Sequence, residues 1–311
     1  MKAMQVRDSS QGLTLYTAQL PQPTPAAGEV LIRVRAAGVT TTELEWYPTT
    51  HQKSAEPRTN AIPGHEFSGV IEALGDGVQS FTVGQEVYGM NDWFADGATA
   101  EFCLTQPSSI APKPASLNHD EAATVPIGAL TAWQGLFDHA KLQPNERVLI
   151  QGAAGGVGLF AIQLARQHGA YVIATTSTPN VDLIRQLGAN EVIDYQKSRF
   201  QDLVRDVDVV FDTVGGETRD LSWSSLKPNG RMITIAADGE SSTDPRIKEH
   251  YFIVEPNQKQ LTEIATLIDA GSLKTYVRAA VSLEDAAKAY AKSIPQKLSY
   301  GKVVITIPGV S

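Results

Sequence analysis

The most chemically specific run in the chain is Gln151-Gly-Ala-Ala-Gly-Gly-Val-Gly158. It follows the apolar segment Arg147–Gln151 (RVLIQ). It precedes Val157–His168, where Leu159, Ile162, Leu164 and Ala165 recur at helical spacing. Glycines between a strand and a helix let the backbone turn sharply and approach a pyrophosphate. The helix N-terminus then offers unpaired N–H groups and the positive end of its dipole. The fit to G-x-G-x-x-G is incomplete. Gly155 and Gly158 take the second and third glycine positions, but Ala153 occupies the first, with Gly152 one residue earlier. Gly152, Ala154, Gly155, Gly156, Val157 and Gly158 are therefore candidates to cradle a dinucleotide phosphate. The competing reading is a tight strand-to-helix connection with no ligand.

The adenosine ribose is the next point of discrimination. A site that prefers NADH carries Asp or Glu at the end of the second strand, about 20 residues on. This chain reads Ala174-Thr-Thr-Ser-Thr178 there, without an acid. Losing the carboxylate removes its repulsion of a 2′-phosphate, and the hydroxyls of Thr176, Ser177 and Thr178 can hydrogen-bond that phosphate. This favours NADPH. No Lys or Arg follows immediately, and Asn180 stands where a basic residue would strengthen the case. Ser and Thr capping the helix after Pro179 would explain the same residues.

These residues need a scaffold. From about residue 121 to 255 short apolar segments alternate with helical ones: Arg147–Gln151, Tyr171–Thr176, Glu191–Tyr195, Asp208–Val214, Arg231–Ala236 and Tyr251–Val254. That alternation predicts an α/β domain with a doubly wound parallel sheet covered on both faces. Residues 1–120 read instead as strand and turn, with Glu29–Ala37 and Phe67–Leu74 bounded by Pro25–Gly28 and Gly75–Gly77. Trp46–Pro63 is polar and Pro-bearing and reads as a long loop. Residues 256–311 read as helical and then extended. Ser282–Asp285 has the form of a capping box, and Lys302–Ile307 that of a closing strand.

Composition narrows the function classes. The 311 residues carry 26 Lys and Arg against 34 Asp and Glu, a net charge of −8. That balance argues against a broad nucleic-acid surface, which needs clustered cations. No apolar run approaches the roughly 18–20 residues that cross a bilayer, and the first residues lack a signal-like apolar core. The expectation is a cytoplasmic protein. The single cysteine, Cys103, allows no internal disulfide and no multi-thiolate zinc lobe.

The order of PGHEFSGVIEALGDGV, FTVGQEVYGM, GATAEF, ATVPIGALTAW, VLIQGAAGGVG, LGANEVIDY, VFDTVGG and GKVVITI resembles the medium-chain dehydrogenase/reductase superfamily, in its quinone oxidoreductase (zeta-crystallin-like) branch. The resemblance covers nearly the whole chain. It implies a GroES-like, mainly β catalytic domain formed by both chain ends (1–120 and 256–311). A Rossmann NADP-binding domain (121–255) is inserted within it, and the molecule is expected to be a homodimer joined through Rossmann edge strands. By the same resemblance, Thr131 faces the nicotinamide side and Gly155, Gly156 and Val157 line the pyrophosphate. Ser177 and Tyr195 hold the 2′-phosphate and its ribose, Phe252 and Val254 frame the nicotinamide, and Lys302 approaches the adenosine phosphate.

Zinc-dependent relatives bind a catalytic metal through Cys, His and a second Cys or acid. Here His65 matches the histidine, Thr40 stands at the first cysteine position, and the third position falls near Pro126 or Ile127. A catalytic zinc needs about three protein ligands; only Glu43 and Glu66 are at hand to supply oxygens. The expectation is no metal, and with no Lewis acid the acceptor must already be electrophilic. A quinone or an α,β-unsaturated carbonyl fits, with Tyr47 and Thr40 as candidate proton donors. Alternatives are an enoyl thioester reductase and an NADPH-binding sensor or structural protein with little turnover.

Overall fold

A computed structural model of the chain describes residues 1–9, 12–295 and 297–308. It divides into two units: 1–127 with 256–298 and 302–311, and 128–255 with 299–301. The first unit begins with β1 (Lys2–Ser9), β2 (Gly12–Gln19), β3 (Val30–Val39), β4 (Glu66–Leu74), β5 (Glu86–Met90), β6 (Phe102–Thr105) and β7 (Ile110–Pro112). The second contains β8 (Arg147–Ile150), β9 (Tyr171–Thr176), β10 (Glu191–Asp194), β11 (Val207–Asp212) and β12 (Leu226–Thr234). The chain then returns to the first unit with β13 (Val277–Ser282) and β14 (Lys302–Thr306).

The first unit pairs β1 with β2 and builds a larger sheet in the order β13-β14-β3-β4-β5-β7, with β6 also on β3. All its pairings are antiparallel except β13 with β14. Val30, Ile32 and Val34 alternate along β3 and share one face, the period a strand dictates. They pack with Phe67 and Ile71 of β4, Val87 of β5, and Val303 and Ile305 of β14. Arg33, between two of them, pairs instead with Glu72 at 2.5 Å.

The second unit is a five-stranded, all-parallel sheet in the order β10-β9-β8-β11-β12. Every strand adds an apolar residue to a single core: Ile193, Ile173, Leu149, Met232, and from β11 both Val207 and Val210. The order reverses between β8 and β11, and in such sheets ligands bind beyond the strands' carboxyl ends at that switch. No helix among the described residues is long and apolar enough to cross a membrane.

Three local expectations change. Tyr251–Val254 is not a sixth strand; only Tyr251 bridges Thr234. Its backbone is used otherwise, since Tyr251 N–H closes the Pro245–His250 helix on Ile247 O at 2.8 Å. The Trp46–Pro63 stretch is partly ordered by a one-turn helix, Tyr47–Thr50, and a His51–Pro57 bridge. Ser282–Asp285 forms a 3-10 turn in which Ser282 caps no backbone N–H. The reciprocal capping box sits at Asn118 and Glu121, with bonds of 2.9 and 3.0 Å.

Phe67 is fully buried in the first unit's core. Phe67→Ala should destabilise that unit by about 3–5 kcal/mol, read as a lowered urea midpoint.

Candidate active site

In the second unit, the turn after β8 shows why glycine is needed at particular places. Gly152 has φ +73°, which only glycine adopts without strain, and a Cβ there would meet Thr213 Oγ1 at 2.4 Å. A Cβ on Gly158 would lie 2.4 Å from Gly152 O and 2.7 Å from Ala153 Cα, so the Gly158–Gln167 helix can start only with glycine. Gly155 N–H closes the turn on Gly152 O at 3.0 Å. Gly152 thus performs the tight-turn task that the motif assigns to the Ala153 position. Among the described residues, the N–H groups of Gly156, Val157 and Gly158 have no acceptor within the chain. Unpaired N–H groups at a helix start fit a pyrophosphate.

Neighbouring strand ends supply the remaining groups. Thr176, at the end of β9, is buried and its Oγ1 has no partner among the described residues. A buried hydroxyl left unbonded is costly unless something else pairs with it. Thr175 Oγ1 donates to Gln151 Oε1 at 2.6 Å, and Gln151 Nε2 donates to Ser222 Oγ at 2.9 Å. Thr178 Oγ1 donates to Asp194 Oδ2 at 2.6 Å, and that bond above all holds the Asp194 carboxyl below the usual carboxylate range. Tyr195 is well exposed, and its N–H bonds Thr176 O at 3.1 Å. Asp212, at the end of β11, supports the next turn: Oδ1 accepts from Val214 and Gly215 N–H at 3.0 Å, and Oδ2 from Thr234 Oγ1 at 2.7 Å.

The expected nicotinamide-side residues gather on one helix and one extended segment. Gly128 lets the Pro126–Trp133 helix pack on the glycine turn, since a Cβ there would meet Gly156 O at 2.3 Å. Thr131 is buried one turn further along this helix. The helix continues as a π-helical stretch, Gln134–His139, of a kind that recurs at functional sites. From it, the Gln134 amide grips the Glu255 backbone at both ends, Nε2 donating to the carbonyl at 2.8 Å and Oε1 accepting from the N–H at 3.0 Å. His139 stacks on Phe252 with ring centroids 4.2 Å apart. Phe252 and Val254 are therefore positioned by side chains from a helix, which accounts for the missing strand. Periodicity places Gln134 on a helix but gives no sign of this grip.

In the first unit, the Cys-His-acid positions hold a different chemistry. His65 is buried, with Nδ1 against the Glu43 carboxylate and Nε2 3.2 Å from Ala95 O. Both ring nitrogens thus face protein oxygens. Glu43 also accepts Gly64 N–H at 2.7 Å. Glu66 is fully buried; Lys302 Nζ contacts its Oε1, and Ile127 N–H donates to its Oε2 at 3.0 Å. Burial raises the Glu66 carboxyl above 4.5, and the Lys302 ammonium pulls it back. The two carboxylates that would have to supply oxygens are consumed, Thr40 offers a neutral hydroxyl and Ile127 no donor. This donor set does not fit a catalytic zinc. Among the described residues, no three His, Cys, Asp or Glu side chains are grouped to hold a metal ion. Lys302, expected at the adenosine phosphate, has its ammonium on Glu66 instead.

Tyr47 is 42% exposed, stacked on His51 at 4.5 Å and edge-on to Phe94 at 6.4 Å. Thr40 follows β3 directly and is half-buried. Cys103 is buried in β6, and burial pushes its thiol up to about 12. His119 bonds Ser68 Oγ at 2.8 Å and lies 3.3 Å from Glu86, but Ser68 is fully buried, so this arrangement braces the sheet.

The fold and this turn define a nicotinamide-dependent oxidoreductase of two-unit architecture. Residues 26–139 match the alcohol dehydrogenase GroES-like domain family, and residues 187–305 match the zinc-binding dehydrogenase family. The quinone oxidoreductase of Rattus norvegicus is 30% identical over 92% of this chain and 91% of its own. The structure of the quinone oxidoreductase from Coxiella burnetii is similar with a TM-score of 0.86 and 27% identity, covering 99% of both chains. The structure of the CurK enoyl reductase is similar with a TM-score of 0.80 and 27% identity, over 98% of this chain and 99% of that one. The chain belongs to the medium-chain dehydrogenase/reductase superfamily, in its quinone oxidoreductase branch.

Lys302→Met would leave the buried Glu66 carboxylate without its counter-charge, destabilising the fold by about 3–5 kcal/mol near neutral pH. A raised folded-state pKa means that Glu66 favours the fold when protonated, a contribution lost as pH rises through the folded value. The variant's deficit in thermal unfolding should therefore widen as pH climbs from 4.5 towards neutrality. A deficit independent of pH would contradict this account.

Proposed function

We propose that the chain transfers hydride from NADPH to a quinone or an α,β-unsaturated carbonyl, without a catalytic metal. The observation that carries this reading is the end of β9. There Thr176 and Ser177 offer hydroxyls, the strand itself carries no acid, the neighbouring Asp194 carboxylate is taken up by Thr178, and the adjacent glycine turn has unpaired N–H groups. When bound, the cofactor supplies the hydride. Residues 121–255 act as the NADP-binding domain. Gly152, Ala154, Gly155, Gly156, Val157 and Gly158 bind the pyrophosphate, and Thr176, Ser177, Thr178 and Tyr195 take the 2′-phosphate and ribose. Thr131, Phe252 and Val254 frame the nicotinamide. Residues 1–120 and 256–311 act as the catalytic domain, with the Tyr47 hydroxyl as proton donor and Thr40 as a second hydroxyl that can serve the oxyanion. Zinc-free hydride transfer suits acceptors that need only alignment and a proton.

The likeness to an enoyl reductase favours one second reading, in which the acceptor is an enoyl thioester. The family resemblance and the outer strand β12, which pairs only with β11 and the Tyr251 bridge among the described residues, support a homodimer through that edge.

The test follows NADPH absorbance with 1,4-benzoquinone, a 2-alkenal and a crotonyl thioester, with and without chelator. Oxidation by the first two, unaffected by chelator and lost with NADH, is expected. Turnover on the thioester alone selects the second reading, and tight binding with no turnover makes the protein a sensor. Activity lost to chelator and restored by zinc overturns the metal-free reading. Tyr47→Phe should lower kcat with an enone by roughly a hundredfold, within the range of general acid catalysis.

A further inference from the structure

A dianionic 2′-phosphate calls for more than hydroxyls, and the end of β9 has no cation of its own. Asn180, at the position where a basic residue would serve, is occupied: its Nδ2 donates to Ser177 Oγ at 3.2 Å and its Oδ1 accepts from Ser299 Oγ. The structure brings a cation from elsewhere. Asp194 of β10 pairs in register with Thr176 of β9. The turn after β10 is tied to the β9 end by two backbone N–H bonds, Tyr195 N–H to Thr176 O at 3.1 Å and Thr178 N–H to Gln196 Oε1 at 3.2 Å. Lys197 sits in this turn, two-thirds exposed, with Nζ 3.2 Å from Asp194 Oδ2.

Asp194 itself raises the opposing possibility, because a carboxylate near the ribose is the usual mark of an NADH site. Here the carboxylate is largely buried and already engaged. Its Oδ2 takes the Thr178 hydroxyl and the Lys197 ammonium, and its Oδ1 takes Gln196 N–H at 3.1 Å. Lys197 balances its charge, and an ammonium has three donors, of which Asp194 uses one. The other nearby charges answer each other: Arg199 lies 3.6 Å from Asp202, and Arg185 lies 3.2 Å from Asp182.

We propose that Lys197, tethered by Asp194 beside Thr178, is the cation that binds the 2′-phosphate of NADPH. The inference rests on the NADPH reading and adds to it the residue that discriminates between the two nicotinamide cofactors. The phosphate meets Lys197 from the β10 side and the Ser177 hydroxyl from the β9 side, while Thr178 holds Asp194 in place.

The test measures dissociation constants of the full chain for NADPH, NADH and 2′-AMP by titration calorimetry, in wild type, Lys197→Ala and Lys197→Arg. Lys197→Ala should weaken NADPH and 2′-AMP by about tenfold or more, the loss of one charge-assisted contact, and leave NADH within about twofold. Lys197→Arg should restore the preference, since it keeps the charge. If wild type prefers NADPH and Lys197→Ala leaves the NADPH-to-NADH ratio unchanged, the Lys197 assignment is overturned and the cofactor reading stands. If wild type binds NADH as tightly as NADPH, the cofactor reading falls, and this inference with it. An equal loss for both cofactors in Lys197→Ala would show a structural role and also overturn the assignment.

Discussion

Two buried carboxylates, Glu43 in the turn that follows β3 and Glu66 at the start of β4, impose the strictest condition on this chain. An ionised carboxylate taken out of water is tolerated only with hydrogen bonds and counter-charge around it. Glu43 obtains its hydrogen bonds close by, from Gly64 N–H and at the His65 ring. Glu66 depends on a distant partner: its counter-charge, Lys302, lies 236 residues further on. The chain must therefore complete the entire parallel sheet before β14 can return beside β3 and deliver the ammonium. The electrostatics of one side chain and the insertion of one unit within another are the same fact seen at two scales. These contacts, with those of His65 to Glu43 and Ala95 O, occupy the carboxylate oxygens and imidazole nitrogens that a metal would need.

The second unit works by the opposite principle, leaving groups unsatisfied at a chosen place. Parallel strands all end on one edge, and on that edge the N–H groups of Gly156, Val157 and Gly158 and the Thr176 hydroxyl lack partners among the described residues. Around them everything is held closely: Thr175 by Gln151, Asp212 by its own turn, Glu255 by Gln134. A rigid rim around an unsatisfied centre is what binding an anion without reorganisation requires.

The sequence made the larger architecture legible because periodicity and turn chemistry are local. Five of the six apolar segments from Arg147 onward are strands, and the glycine run lies where the strand-to-helix pattern put it. Tyr251–Val254 was misleading because apolar character reports burial, not the partner that provides it; an aromatic stack and an amide grip replaced a ladder of hydrogen bonds. Ser282–Asp285 carried a capping pattern, but the chain there makes a 3-10 turn that runs into the Ala286–Tyr290 helix without the Ser282 cap bond. Long-range pairings were silent for a further reason. Nothing in the spelling of Glu66 or Lys302 points to the other, and nothing around Asn180 indicates that a cation arrives from the turn after β10. Such contacts follow from strand order and register, which single-chain periodicity does not encode.

Cys103 has one more consequence. Quinones and enones, the acceptors proposed for this enzyme, are soft electrophiles that alkylate thiolates, and a protein handling them is exposed to damage by its own substrates. Here the sole thiol is buried in β6 and pushed up to about 12, so the reactive thiolate is scarce at neutral pH and out of reach. Having one sulfhydryl, and storing it under the sheet, gives the chain a chemical durability that its fold alone would not require.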